Sequence, residues 1–175
     1  MKYREKKILN YKPEQLFDLV SDIKKYPEFL PWCLGSRVKK ILNYKPEQLF
    51  DLVSDIKKYP EFLPWCLGSR VKKISHKQLY ADLIVGMKIY REIFKSNVHL
   101  NKDLSTIEVE YLKGPFKQLK NKWIFNKVDN GCEVDFYVEF ELNSRLLNGV
   151  IKAFFEEAVV KMITAFENRA GKLYG

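Results

Sequence analysis

The sequence predicts an α+β domain in which a curved antiparallel sheet wraps a long C-terminal helix. Three patterns carry this. From Ser144 to Lys172, apolar residues recur at steps of three and four: Leu147, Val150, Ile151, Phe154, Phe155, Ala158, Val159, Met162, Ile163 and Phe166. Between Gly68 and Leu142 the chain alternates apolar and polar residues in a series of strand-length stretches, with no second long helix among them. Ahead of both, each copy of an N-terminal unit reads as one short strand followed by two short helices. A helix from 144 to 172 spans about 40 Å at about 1.5 Å per residue. It needs a broad apolar partner, and the strands supply one.

The N-terminal unit occurs twice. Residues 6–41 recur unchanged at 39–74, a shift of 33. Two perfect copies without a diverged third exclude a solenoid array and point to a duplication. In each copy Lys-Lys-Ile-Leu-Asn reads as a strand. Pro13, or Pro46, suits the first turn of a helix with glutamate beside it. The Tyr-Pro and Leu-Pro pairs at 26–27 and 30–31, copied at 59–60 and 63–64, break that helix into a second short one.

One domain seats one such set, which divides the chain into a duplicated segment, 1–38, and a domain, 39–175. Seating the first copy would turn the second into an inserted loop, at a closure cost of roughly 3 kcal/mol. The second copy also follows Val38, where the first follows Glu5. The expectation is therefore that the second copy is seated. Leu16, Phe17, Val20, Phe29 and Trp32 then form an apolar patch on the displaced arm that favours self-association.

The strands follow in order. Gly68–Ser75 is the first. Gln78–Met87 sets Leu79, Ala81, Leu83, Val85 and Met87 on one face; Tyr90–Leu100 does so with Phe94, Val98 and Leu100; Leu104–Leu112 with Ile107, Val109 and Tyr111. Lys117–Val128 opposes Leu119, Trp123 and Phe125 to Lys120 and Lys122. Cys132–Leu142 points Val134, Phe136, Val138, Phe140 and Leu142 inward, and Asp135, Tyr137, Glu139 and Glu141 toward solvent. Asn101-Lys102-Asp103, Lys113-Gly114-Pro115 and Asp129-Asn130-Gly131 read as turns, the last as a tight hairpin. The helix has Ser144 as N-cap, Glu156 and Glu157 ahead of Lys161, and Lys172 near its C-terminal end.

Composition narrows the function. The net charge of +9 favours an acidic partner, an anionic membrane surface or RNA. Three cysteines, one of them a repeat copy, build no disulfide framework and fit a reducing cytoplasm. The sequence offers no membrane span, no signal peptide, no phosphate-binding glycine loop and no metal-ligand spacing. His76 and His99 lie in strand patterns without a nucleophile at a telling distance, so no catalytic residue and no metal is expected. The inward faces join aromatic to small or flexible residues, which either fill a core or line an apolar ligand cavity.

Tyr-Pro-Glu-Phe-Leu-Pro-Trp-Cys at 59–66 (and 26–33) resembles the signature of the coenzyme Q-binding START-like family, which includes the bacterial ribosome-association toxin A proteins. Agreeing with it are Gly114-Pro115-Phe116 and Asn121-Lys122-Trp123-Ile124-Phe125. So are the run from Val134-Asp135-Phe136 through Phe140-Glu141 to Ser144-Arg145-Leu146-Leu147, Ala165-Phe166-Glu167-Asn168-Arg169-Ala170, and the closing Leu173-Tyr174-Gly175. The likeness covers 39–175. The family pattern has no place for a second N-terminal copy.

The resemblance implies a helix-grip fold and a hydrophobic tunnel for a polyprenyl quinone such as ubiquinone, bound as a ligand rather than a cofactor and without catalysis. Combined with the strand and helix faces, it makes Tyr59, Phe62, Leu63, Pro64 and Trp65 one lip of the tunnel. Trp123, Phe125, Phe136 and Val138 become its sheet wall, and Phe154, Ala158 and Met162 its helix wall. It implies a role in respiration and a cytoplasmic protein peripheral on the inner membrane. The alternative it carries is a toxin that binds the large ribosomal subunit and blocks subunit association, with Lys113, Lys117, Lys120 and Lys122 facing RNA or membrane. A cyclase-like enzyme in the same fold is the third reading.

Overall fold

The structure, a computed structural model, describes residues 34–87, 90–114, 116–142 and 145–175, with the backbone alone for 34, 87, 90, 142 and 145–156. Its elements in chain order are β1 (Leu34–Leu42), α1 (Pro46–Ser54), a 3-10 helix (Ile56–Glu61), β2 (Cys66–Lys73), β3 (Gln78–Met87), β4 (Tyr90–Asn101), β5 (Thr106–Lys113), β6 (Phe116–Val128), β7 (Gly131–Leu142) and α2 (Arg145–Tyr174). The predicted Pro13 helix, the arm patch at Leu16, Phe17, Val20, Phe29 and Trp32, and the Ser144 cap lie outside the described residues.

The seven strands form one antiparallel sheet in the order β1-β7-β6-β5-β4-β3-β2. The α+β layout with a curved antiparallel sheet, two short helices after the first strand and a long C-terminal helix is thus present. β1 begins at Leu34, five residues before the boundary set at Lys39, so it joins the last residues of one copy to the first of the next. As a result the identical heptapeptides Leu-Gly-Ser-Arg-Val-Lys-Lys at 34–40 and 67–73 occupy the two opposite edges of the sheet. In both, the central valine, Val38 or Val71, packs against the core.

Pro46 occupies the first turn of α1, and the side chain of Gln48 caps the backbone N–H of Lys45 at 2.8 Å. Leu49, Phe50, Leu52 and Val53 are buried on its inner face, where α1 packs on β5, β6 and α2. Pro60 and Pro64 limit the next segment to a 3-10 turn, which Tyr59 fastens by donating from its hydroxyl to the carbonyl of Val53 at 2.6 Å. The far end of α2 docks on α1: Tyr174 donates to the Gln48 carbonyl at 3.1 Å.

The turns differ in detail from the sequence reading. The β4–β5 turn extends to Ser105, whose φ of 49° is left-handed, while Asn101 accepts from the Leu104 backbone N–H at 3.0 Å. Leu104 is 68% exposed in this turn rather than starting β5. In the β6–β7 hairpin, Gly131 sits at φ 142° as the first residue of β7, because a side chain there would strike the end of β1.

The solvent-facing assignment of Asp135 and Glu139 is corrected by the structure: each is 4% exposed. Alternation does put them on the convex side, but side chains from the neighbouring strands cover that side at β7. Arg37 of β1 donates to both Asp135 oxygens, at 2.9 and 2.6 Å, and Lys39 Nζ lies 3.6 Å away. Tyr137 donates to Glu139 at 2.6 Å. The Arg37 hydrogen bonds hold the Asp135 carboxyl below its ordinary range against the opposing effect of burial.

A lowered carboxyl pKa contributes stability that is complete above the unfolded-state value and is lost as pH falls through the folded one. Arg37→Met removes the main cause. The urea midpoint at neutral pH should then lie below the parent's, and the share of the parent's fall on acidification that this carboxyl causes should be missing, so that the two profiles converge as pH falls. Identical pH profiles would mean that this pair does not couple to folding.

Candidate functional site

The concave face is built from alternate residues of each strand, and the register sets them in rows. One row runs Ile107, Trp123, Phe136, Val38; the next runs Leu79, Val98, Val109, Asn121, Val138, Ser36. Burial divides this face into two ends. At the α1 end Phe125, Phe136, Ile107 and Trp123 are at most 5% exposed. Phe166 of α2 drops between the elements there, with ring centroids 5.4 Å from Tyr59, 5.1 Å from Phe62 and 5.3 Å from Trp123. Trp123 in turn packs 4.3 Å from Phe136.

The space left at this end is a cavity of about 30 Å³, lined by Trp123, Phe125, Phe136, Val134, Ile163 and Phe166 among others. That volume holds a water molecule, not a quinone ring. Tyr59, Phe62, Trp123, Phe125 and Phe136, expected as tunnel contacts, are here the packed end wall. Leu63 is buried with them, while Pro64 is exposed and Trp65 half-buried. The Trp65 carbonyl accepts from the Gly86 N–H at 2.9 Å, which pins this lip to β3. Val138 is buried, and Ala158 and Met162 are half-buried on α2. Phe154 lies outside the described side chains.

The opposite end carries a second aromatic cluster that the site prediction left out. Phe94 stacks on Tyr111 at 5.8 Å, and Phe116 meets Phe94, Tyr111 and Phe140 at 6.0, 5.8 and 5.0 Å. Tyr111 donates to the Phe116 carbonyl at 2.8 Å. Leu83, Val85, Phe94, Tyr111, Phe116 and Leu119 are only half-buried, unlike their counterparts at the α1 end. The alternation had already put Phe94, Tyr111 and Leu119 on the inner face. What it could not show was which end of that face stays open.

Across the convex face, the β5–β6 ladder stops at Glu110 opposite Lys120. Beyond it, between β5 and β6, lies a groove of about 630 Å³, with His99, Glu108 and Glu110 on one side, Lys117, Lys120 and Lys122 on the other, and Val109, Tyr111, Leu119 and Asn121 from the inner face also lining it. Two of these lysines are matched: Lys117 pairs with Glu141 at 2.8 Å and Lys122 with Glu108 at 2.6 Å. Lys120 faces Glu110 and Glu139 across the ladders, and Lys113 lies opposite Lys95. Three of the four lysines are therefore threaded among acids, and together they make no purely basic patch. Asn97 and, secondarily, His99 hold the Glu110 carboxyl below its usual range.

Among the described residues no group of His, Cys, Asp or Glu is placed to hold a metal ion. Cys66 and Cys132 are free and buried, and burial raises the Cys132 thiol to about 11, so it stays protonated at neutral pH. No described helix is long and apolar enough to cross a membrane.

The chain matches the family described as polyketide cyclase / dehydrase and lipid transport over residues 9–40 and 42–167. It is 39% identical over 173 residues to the ribosome association toxin RatA of Rickettsia prowazekii, covering 97% of this chain and 96% of that one. It is 33% identical to the coenzyme Q-binding protein COQ10 homolog B, mitochondrial, of Xenopus laevis, covering 100% of this chain and 60% of that one. Among solved structures, an 18 kDa protein of Caulobacter crescentus is 38% identical with a TM-score of 0.68, over 81% of this chain and 98% of that one. An aromatase/cyclase from a Streptomyces species superposes with a TM-score of 0.72 over 80% of this chain and 94% of that one. Its 12% identity makes that a likeness of fold alone.

Proposed function

The chain belongs to the polyketide cyclase / dehydrase and lipid transport family, and we propose that it binds ubiquinone on the concave face of its sheet without catalysing a reaction on it. The observation that carries this reading is the gradient of burial along that face. An aromatic and aliphatic surface is packed shut at the α1 end and half-buried at the Phe94–Tyr111–Phe116 end. Apolar surface left open inside a concavity is where a water-insoluble ligand gains most from burial, at about 25 cal/mol per Å². The relative named for coenzyme Q binding supports the choice of quinone. A quinone resides in a bilayer, so on this reading the chain works as a peripheral protein at a membrane surface.

The test is native mass spectrometry with lipid extraction on protein purified from a quinone-containing host. The parent should carry a quinone. Ala158→Trp should abolish that occupancy with only modest loss of stability, because Ala158 is half-buried in the apolar pattern of α2 and a large ring there would take up space beside the sheet. A variant that retains as much quinone as the parent would place the ligand elsewhere.

A second reading, binding to a ribosomal subunit, is favoured by the relative named as a ribosome association toxin. Contacts to RNA phosphates weaken steeply with salt. Co-sedimentation with subunits at moderate salt, abolished by Lys120→Glu with Lys122→Glu, would establish it. Salt-independent absence of binding would remove it.

A further inference from the structure

Asn121 stands alone in its surroundings. It occupies the middle of the concave face, opposite Val109 on β5 and Val138 on β7, in a row that continues to Val98 and Leu79. Its side-chain oxygen is buried, and among the described residues no donor reaches it. Ser96, a polar residue buried on the same face, by contrast donates to the Ala81 carbonyl at 3.3 Å. A buried acceptor without a partner costs about 1–3 kcal/mol. Valine, which its two ladder neighbours already are, would fill the position without that cost.

Resting on the quinone reading above, we infer that Asn121 is a specificity residue whose Oδ1 accepts a hydrogen bond from a hydroxyl of the bound head group, so that the site prefers the reduced quinol to the quinone. On the concave face the rows next to Asn121 bring no charged side chain to it; the charged residues of the groove that Asn121 also borders alternate to the convex face. On this face Lys40 lies at the α1 end and is paired with Glu167 at 2.6 Å. A phosphate or carboxylate head group would therefore be buried without a counter-charge, which excludes acidic lipids. A neutral hydroxyl meets the orphaned oxygen as donor to acceptor. With the amide turned as it is here, a quinone carbonyl in the same place would set two acceptors against each other.

The experiment compares decylubiquinone with its quinol, kept reduced anaerobically, by quenching of intrinsic tryptophan fluorescence. The parent should bind the quinol about tenfold more tightly, the worth of one net hydrogen bond. Asn121→Leu and Asn121→Val should bind both forms alike, through the tail and ring, with thermal midpoints at or above the parent's. Both substitutions replace an amide whose buried oxygen is unpaired by an apolar side chain, so at least one is expected to fold. Equal affinity of the parent for both forms, or a preference that survives in the variants, overturns the assignment while leaving quinone binding standing. Failure of the parent to bind either form defeats the quinone reading itself, and this inference with it.

Discussion

Gly131→Ala should destabilise the fold by about 4 kcal/mol or more, the sum of backbone strain and a steric clash. Gly131 holds φ at 142°, where residues with a side chain are strained by about 1–3 kcal/mol. A Cβ built there would lie 2.1 Å from the Leu42 carbonyl oxygen and 2.9 Å from its carbon. Both atoms are backbone, so no side-chain rotation relieves the contact. The end of β1 would have to leave β7, breaking the pairing of Leu42 with Cys132. Gly68→Ala is the control. Its Cβ would meet only the tip of Ile84, at 3.3 Å, and the cost should be below about 1 kcal/mol. Urea unfolding measures both, and similar small costs at the two positions would mean that β1 does not close against the hairpin in this way.

Phe166→Ala should cost about 3–5 kcal/mol, lowering the thermal midpoint by about 10 °C. Phe166 is 7% exposed and touches the 3-10 segment through Tyr59 and Phe62 and the sheet through Trp123. Removing the ring enlarges the adjoining cavity of about 30 Å³ and detaches three elements from one another at once. Because that end is the packed wall and not the half-buried one, quinone occupancy of the variant, measured at low temperature where it remains folded, should persist. Loss of ligand with unchanged stability would reverse the assignment of the two ends.

The local elements were legible in the residues themselves. Alternation from Gln78 to Met87 and from Cys132 to Leu142 marked strands that the structure places at Gln78–Met87 and Gly131–Leu142, and Pro46 marked the first turn of α1. The inner faces could be read for the same reason: a period of two assigns Phe94, Tyr111, Trp123 and Phe136 to one side whatever the neighbouring strands are. Proximity across the sheet was another matter. That Asp135 and Glu139 would be buried on the outer face depends on Arg37, 98 residues away in the chain, and on other cross-strand side chains. The same residue types Leu-Gly-Ser-Arg-Val-Lys-Lys read alike at 34–40 and 67–73, and only the sheet order sends one to each edge.

The candidate site divides along the same line. Residue types and spacing determined that the concave face is aromatic and apolar. The tertiary structure decided which part of it is spent on packing. Phe166 fills the α1 end because α2 and the short helices converge there, a condition that no single segment's pattern contains. Asn121 read locally as one polar residue within a strand. Its meaning comes from the ladder, which surrounds it with valines from β5 and β7 and leaves its oxygen without a partner. Periodicity is a property of neighbours in sequence, whereas burial and hydrogen-bond satisfaction are properties of neighbours in space.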